Sequence, residues 1–162
     1  MNKKIFEDLF FKLIDNKKNK YHPLVWINGK PKIGKNTYIG GFSEINSKGS
    51  KISIGSHCDI ASFVSINVAD SHKKCIGIEK HITKKPIILG DKVFVGSHSV
   101  ILGGVTIGNN SVVGAGTILQ DIKIPPYSLV VGNPPIIKKK YYKKNLKKWF
   151  HIIVQQADLK KF

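Results

Sequence analysis

The middle of the chain repeats an aliphatic residue at every sixth position. From Leu89, the step passes through Val95, Ile101, Ile107, Val113 and Leu119. Upstream, the same spacing connects two further groups, Ile33, Ile39 and Ile45, and then Ile54, Ile60 and Ile66. Downstream, the pattern predicts Val131, twelve residues beyond Leu119, as the next position. A short fixed period of this kind is typical of repeat proteins whose units stack on one another.

An α-helix does not account for the period. At about 100° per residue, six residues advance by roughly 600°, so the aliphatic side chains would point in three directions. A meander of longer strands is excluded as well, because turn-rich segments such as "NNS" and "GAG" interrupt every repeat. The pattern predicts a coil of three short strands, each directing one aliphatic side chain inward. Glycine often follows that residue, as in Gly90 and Gly96, and allows a close or positive-φ backbone at the corner.

Amphipathic segments flank the repeats and predict a covering helix at each end. Residues 3 to 15 have apolar side chains at helical spacing, namely Ile5, Leu9, Phe10, Leu13 and Ile14. From about 138 to 158 a second stripe lies among lysines, with Tyr142, Leu146, Trp149, Phe150, Ile153 and Val154. The predicted organisation is an N-terminal helix and lead-in over 1–20, a β-helix domain over 21–137 and a basic amphipathic helix over 138–162.

One insertion interrupts the period and carries candidate chemistry. Ile66 and Leu89 are 23 residues apart, so a loop at about 68–86 must leave the coil, and long loops in compact folds tend to be functional. An imidazole can accept a proton from a hydroxyl near neutral pH. His72 is the candidate general base and His81 the second candidate. Asp70 is a candidate for orienting the His72 ring, a task that a backbone carbonyl would perform equally well.

Charge and cysteine content limit the class of protein. Lysine and arginine number 27 against 10 acidic residues, a net charge of +17, which is compatible with nucleic acid, an anionic membrane or small anionic ligands. Cys58 and Cys75 form no metal-ligand motif, so we expect free thiols and no metal. Charged residues interrupt the apolar N-terminal run, which fits neither a signal peptide nor a membrane span. We expect a cytoplasmic protein.

The string "PIILGDKVFVGSHSVILGGVTIGNNSVVGAGTILQDIKIPPYSLVVGNPPIIKK", residues 86–139, resembles the hexapeptide-repeat acyltransferases. The likeness is greatest to galactoside and maltose acetyltransferases and to sugar O-acetyltransferases of surface polysaccharides. Its specific features are the repeated glycine after an aliphatic residue, "GVTIG", "GAG" followed by "IPP", and the closing "GNP". The resemblance implies an all-β fold, a left-handed parallel β-helix. It also implies a homotrimer that binds acetyl-CoA between neighbouring subunits.

The resemblance also implies roles for individual residues. His72 matches the family's catalytic histidine. Ser97 and Ala115 match small residues beside the pantetheine arm of CoA, and Lys138 and Lys139 follow "GNPPII", where the family has a basic residue near the nucleotide phosphates. At the positions where galactoside enzymes have polar residues that bind the acceptor, this chain has Gly41 and Gly49, so we expect a different acceptor.

Three functions follow as hypotheses. The first is acetyl-CoA-dependent transfer of an acetyl group to a sugar hydroxyl in surface-glycan biosynthesis, by direct transfer because no nucleophile motif such as GxSxG is present. The second is N-acetylation of an amino sugar linked to a nucleotide. The third is a basic protein that binds nucleic acid or a membrane surface. The repeats lack the basic and aromatic interleaving of nucleic-acid modules, so we expect no nucleic-acid partner, while the basic C-terminus leaves a weak membrane contact open.

Overall fold

The computed structural model describes residues 2–13 and 19–143. The two described helices are α1, Lys3–Leu13, and α2, His72–Cys75. The strands are β1 Trp26–Asn28, β2 Lys32–Ile33, β3 Tyr38–Ile39, β4 Glu44–Asn46, β5 Ile52–Ile54, β6 Asp59–Ile60, β7 Ser65–Asn67, β8 Ala69–Asp70, β9 Thr83–Lys84, β10 Ile87–Leu89, β11 Phe94–Val95, β12 Val100–Leu102, β13 Thr106–Ile107, β14 Val112–Val113, β15 Ile118–Leu119, β16 Lys123–Ile124, β17 Leu129–Val131 and β18 Ile136–Lys138.

Most of these strands form three parallel sheets that the chain visits in turn. The first sheet contains β1, β4, β7, β12 and β15, the second β2, β5, β10, β13 and β16, and the third β3, β6, β11, β14 and β17. Each coil therefore contributes one strand to each sheet, and strands of successive coils pair in parallel. Strand β18 ends the third sheet by pairing antiparallel with β17. The predicted parallel β-helix is confirmed.

The core of the coil contains most of the predicted aliphatic positions, together with further buried residues such as Val64, Val93 and Val105. Among the predicted positions, Ile33 is only partly buried. All six residues from Leu89 to Leu119 in the six-residue series are at most 1% exposed. Corresponding residues of successive coils are paired: Ile101 lies opposite Leu119, and Leu89 opposite Ile107. Stacking removes from water the one face that a single coil would leave exposed, which is the main source of stability in such repeats.

The last repeat position was predicted wrongly. Val130, not Val131, is fully buried and pairs with Val113. The buried positions after Leu119 are Ile124 and Val130, five and then six residues further on. The turn between β15 and β16 is therefore one residue shorter than the regular repeat, which moves every later inward position back by one.

Two structural requirements at the corners of the coil are met by different residues: close approach between coils by glycine, and a left-handed backbone by a residue further along the turn. Gly96 permits close approach, because a Cβ at this position would lie 2.5 Å from the backbone nitrogen of Ala115 in the next coil. The left-handed backbone falls two residues later, at His98, which has a φ of 60°. Non-glycine residues such as Phe63 and Asn110 adopt the same conformation at equivalent corners. Tight stacking of the coils, more than turn geometry, accounts for glycine next to the buried position.

The described parts of the two chain ends differ from the predictions in detail. Helix α1 forms as predicted, but its buried residue is Phe11, whereas Ile5, Leu9 and Leu13 are exposed. The predicted apolar stripe is thus rotated away from the contact that α1 makes. At the other end Lys138 completes β18, and turns follow it through residue 142. Ile14 and the predicted helix beyond residue 143 lie outside the described residues.

Candidate active site

The long insertion leaves the coil between β7 of the first sheet and β10 of the second. Strands β8 and β9 pair antiparallel at its base, and residues 71–78 between them are exposed. We call the stacked turns from the first to the second sheet the loop corner. Gly103 lies at this corner one coil further on, where a Cβ would approach the Val68 carbonyl oxygen to 3.0 Å and the Lys85 Cβ to 3.1 Å. Glycine there lets both ends of the insertion lie against the coil.

His72 and Asp70 form a pair at the base of the insertion. The imidazole Nδ1 contacts Asp70 Oδ1, and the backbone N–H of His72 donates to the same oxygen over 3.2 Å. The His72 side chain is 61% exposed and the Asp70 side chain 27%. These bonds from His72, the side-chain bond first, lower the pKa of the Asp70 carboxyl, so it remains a charged acceptor. An ionised carboxylate only accepts hydrogen bonds, so in this pair Nδ1 carries the proton.

Gln120 completes the hydrogen bonding of Asp70. Its Nε2 donates to Asp70 Oδ2 over 3.0 Å, and this bond also lowers the pKa of Asp70. Gln120 directly follows Leu119, a fully buried residue of β15. The carboxylate is therefore held on one side by the loop and on the other by the coil. Gln120 was not among the predicted site residues, although the sequence has a polar residue here at a repeat position where glycine is common.

A small cavity of about 100 Å³ opens beside this group. Its wall consists of Val68, Asp70, His72, Lys73, Thr83, Lys85, Gly103, Gln120 and Asp121. Lys85 Nζ donates to both carboxylate oxygens of Asp121 at 2.7 Å, and Lys73 Nζ donates to Glu79 over 3.0 Å. Despite the strongly basic composition of the chain, both lysines of the cavity wall are paired with carboxylates. The cavity combines a histidine with several hydrogen-bonding groups, a set suited to a polar hydroxylated ligand.

The other predicted residues lie elsewhere on the molecule. Ser97 and Ala115 are in consecutive coils, at the turns from the third to the first sheet. We call these stacked turns the opposite corner. The N–H of Gly116 donates to the Ser97 carbonyl over 2.9 Å and links the two coils there. Strand β12, three residues long, separates this corner from the loop corner, a distance of about 10 Å or more at 3.3 Å per residue. One chain therefore does not bring Ser97 and Ala115 to His72.

The two predicted lysines lie at the end of the coil. Lys138 is an exposed residue of β18 opposite Leu129, and its Nζ lies 5.9 Å from the centre of the Tyr141 ring. Lys139 follows in an exposed turn. His81, the second candidate base, is exposed in the insertion and does not line the cavity. His98 is exposed and stacks on Phe63, with ring centres 5.0 Å apart.

The described residues hold neither a candidate metal site nor a membrane-spanning helix. Among these residues, no three His, Cys, Asp or Glu side chains group closely enough to hold a metal ion. Neither described helix has the length and apolar character required to cross a membrane. Cys58 is buried and Cys75 is exposed, both as free thiols. Burial raises the pKa of the Cys58 thiol, which disfavours the reactive thiolate.

Comparison with known proteins relates the chain to transferases with hexapeptide repeats. Residues 86–121 match the family model of the bacterial transferase hexapeptide (six repeats). The galactoside O-acetyltransferase of Escherichia coli K12 is 53% identical over 49 residues, which cover 30% of this chain and 24% of that protein. The bifunctional protein GlmU of Geotalea uraniireducens is 33% identical over 129 residues, 75% of this chain and 27% of GlmU. The chain thus spans a third or less of the curated relatives it matches.

Solved structures extend the likeness across most of the coil. A galactoside acetyltransferase in complex with coenzyme A has a TM-score of 0.64 and 32% identity, covering 76% of this chain and 62% of that one. A hexapeptide-repeat acetyltransferase of Vibrio cholerae, complexed with acetyl coenzyme A, has a TM-score of 0.65 and 27% identity, covering 86% and 78%. The resemblance to hexapeptide-repeat acyltransferases is confirmed.

Proposed function

We propose that the protein is an acetyl-CoA-dependent O-acetyltransferase that transfers an acetyl group to a sugar hydroxyl in surface-glycan biosynthesis. The observation that carries the proposal is the pairing of His72 Nδ1 with the Asp70 carboxylate at the edge of a cavity on a hexapeptide β-helix. Similar proteins, such as a galactoside acetyltransferase with bound coenzyme A, support acetyl-CoA as the donor and a sugar as the acceptor.

In the proposed reaction, His72 acts as the general base. With Nδ1 donating to Asp70, Nε2 is the nitrogen that accepts the proton of the acceptor hydroxyl as its oxygen attacks the thioester carbon. The C–S bond then breaks, and the imidazolium returns the proton to the departing thiolate, so the base is regenerated. Asp70 stabilises the positive charge on the ring between these two steps. No covalent enzyme intermediate is required.

The separation of the two corners supports a site shared between subunits. Ser97 and Ala115 present small side chains at the opposite corner, where a thin pantetheine arm would lie against the coil. Since His72 is on the loop corner of the same chain, the two halves meet only if a second copy supplies one of them. We propose a homotrimer in which each groove combines the loop corner of one subunit with the opposite corner of its neighbour. Lys138 and Lys139 would contribute positive charge toward the nucleotide phosphates.

The test is thiol release from acetyl-CoA with a panel of neutral sugars and nucleotide-linked amino sugars. We expect His72→Ala to lower turnover by about 10²–10⁴-fold, because the hydroxyl loses its proton acceptor. His81→Ala is the matched control, an exposed histidine of the same insertion away from the cavity. Near-normal turnover of His72→Ala would overturn the assignment of the base. Activity confined to nucleotide-linked amino sugars would replace the O-acetyltransferase proposal with N-acetylation.

A further inference from the structure

The imidazole of the proposed base lies on an exposed segment that does little to fix its position. His72 begins a four-residue helix within the exposed residues 71–78, and its side chain is 61% exposed. Its ring contacts Asp70, which itself belongs to the two-residue strand β8. Across the described residues, no hydrogen bond to Nε2 is formed. The orientation of the ring therefore depends on how firmly the Asp70 carboxylate is held.

The coil supplies a fixed point through Gln120. This residue is 50 positions away from Asp70 in sequence, yet its amide donates to Oδ2, the oxygen that His72 does not use. Its neighbour Leu119 is fully buried and paired with Ile101, which anchors the backbone of Gln120 in the stacked coils. A second bond holds the other end of the insertion, where Lys85 reaches Asp121 at 2.7 Å. Of these two bonds, the one from Gln120 acts on the Asp70 carboxylate, which is the group beside His72.

We propose that Gln120 is a positioning residue for the reaction, acting on His72 through Asp70. By fixing Oδ2, it keeps Oδ1 directed at Nδ1, so that Nε2 remains the nitrogen presented to the acceptor. A neutral amide suits this task, because it holds the carboxylate without neutralising the charge that stabilises the imidazolium. This inference rests on the proposed function, in which His72 is the base.

The first test is a double-mutant cycle between Gln120 and Asp70. Gln120→Leu should lower kcat by about 10- to 100-fold, as expected for a misplaced catalytic group, while the KM for acetyl-CoA stays unchanged. In an Asp70→Ala background, Gln120→Leu should cause no further loss, since its effect passes through Asp70. An equal loss in both backgrounds would overturn the proposal. Lys123→Leu is the control, an exposed polar residue three positions along that does not line the cavity.

The second variant makes the same contact dependent on pH. Gln120→Glu sets a carboxylate against Asp70 Oδ2, and two carboxylates at this distance favour sharing one proton. The protonated pair restores the hydrogen bond, and the doubly ionised pair repels. Turnover of Gln120→Glu relative to the wild type should therefore rise as the pH is lowered from about 8 to about 5. A constant ratio across this range would count against a direct action on Asp70.

A spectroscopic measurement separates this inference from the proposed function. In nitrogen-15 NMR of the unliganded protein, His72 should show the Nδ1–H tautomer in the wild type and a mixture of tautomers in Gln120→Leu. Unchanged His72 signals in the variant would overturn the positioning role. If the expected change occurs in a protein that acetylates no acceptor of the panel, the positioning of His72 stands and the proposed reaction fails. Thermal unfolding of each variant verifies that the fold is retained.

Discussion

At the scale of single residues, Asp70 is the group on which the most contacts of the candidate site converge. One oxygen accepts from the His72 ring and backbone, and the other from Gln120. The same bonds lower its pKa, so the acceptor that orients the base persists into more acidic solution than a free aspartate would allow. The orientation of the His72 ring therefore depends on the charge of the Asp70 carboxylate.

This coupling predicts an acid-sensitive contribution to stability. The pKa of Asp70 is lowered in the folded state, so its contribution is complete above the unfolded value near 3.8 and is lost as pH falls through the lower folded value. Asp70→Asn should therefore be less stable than the wild type at neutral pH, and the gap should close as the pH falls below about 4. Urea unfolding midpoints at a series of pH values measure the gap.

The control for the Asp70→Asn measurement is a carboxylate that does not accept hydrogen bonds from His72 and Gln120. Asp59→Asn, on the outer face of β6, is the matched control and should show no comparable closing of a gap. A difference between Asp70→Asn and the wild type that stays constant down to about pH 2 would contradict the linkage argument.

At the scale of the element, each strand of the coil presents one side to the core and the other to solvent. In β10, Ile87 and Leu89 are buried, while Ile88 between them is 47% exposed. On the outer face of the second sheet, Ile88 stands beside Ser53 and Thr106 in the neighbouring strands. Because side chains alternate between the two faces of β10, Leu89 contributes to the core, whereas the similar side chain of Ile88 lies on the outer face.

A pair of substitutions in β10 tests this division. Leu89→Ala should lower the free energy of unfolding by about 2–5 kcal/mol, because it leaves a cavity between stacked coils. Ile88→Ala in the same strand should change it by less than about 1 kcal/mol, since the side chain is half in water already. Equal losses, measured by denaturant unfolding, would show that the outer face of the second sheet is also packed.

At the scale of the whole molecule, the coil is a rigid scaffold that separates functional groups. His72 and Asp70 lie at the loop corner, whereas Ser97 and Ala115 lie at the opposite corner, with a strand of the first sheet between them. If the proposed reaction is correct, neither corner suffices alone. Assembly of copies would then be a requirement of catalysis and not only a source of stability.

Mixed assemblies provide the test of a shared site. His72→Ala removes the base, and Ala115→Trp blocks the opposite corner, so each variant alone should be inactive. Refolded together in equal amounts, about a quarter of the grooves in random trimers would combine an intact loop corner with an intact opposite corner. Recovered activity of about this fraction, with light scattering at three times the mass of the 18.0 kDa chain, would support the shared groove.

The same measurement has a clear negative outcome. Activity in the mixture no greater than the sum of the two separate variants would show that each chain completes its own site. A fully active monomer would contradict the trimer directly. Mixing preformed assemblies without refolding serves as the control, because subunits that do not exchange cannot form new grooves.

The six-residue period by itself predicted a coil of three short strands whose turns stack on one another. Such a coil brings a residue at every sixth position to a common core, and the structure buries each of these residues from Leu89 to Leu119. The period also located the insertion, since a repeat must resume in register with the coil that it left. It failed at Val131, because a turn shortened by one residue is invisible until the buried position is seen at Val130.

The arrangement of the candidate site depended on the tertiary structure. Residues 68–86 could be recognised as an excursion, but the path of a loop is set by contacts made after the coil has formed. Gln120 meets Asp70 from 50 positions away because the stacking of coils brings β15 above the start of the insertion. Likewise, the separation of Ser97 from His72 follows from which sheets their turns connect. The local sequence pattern therefore specifies the repeating coil. Contacts between residues far apart in sequence, made when the coils stack, decide where the residues of the candidate site lie.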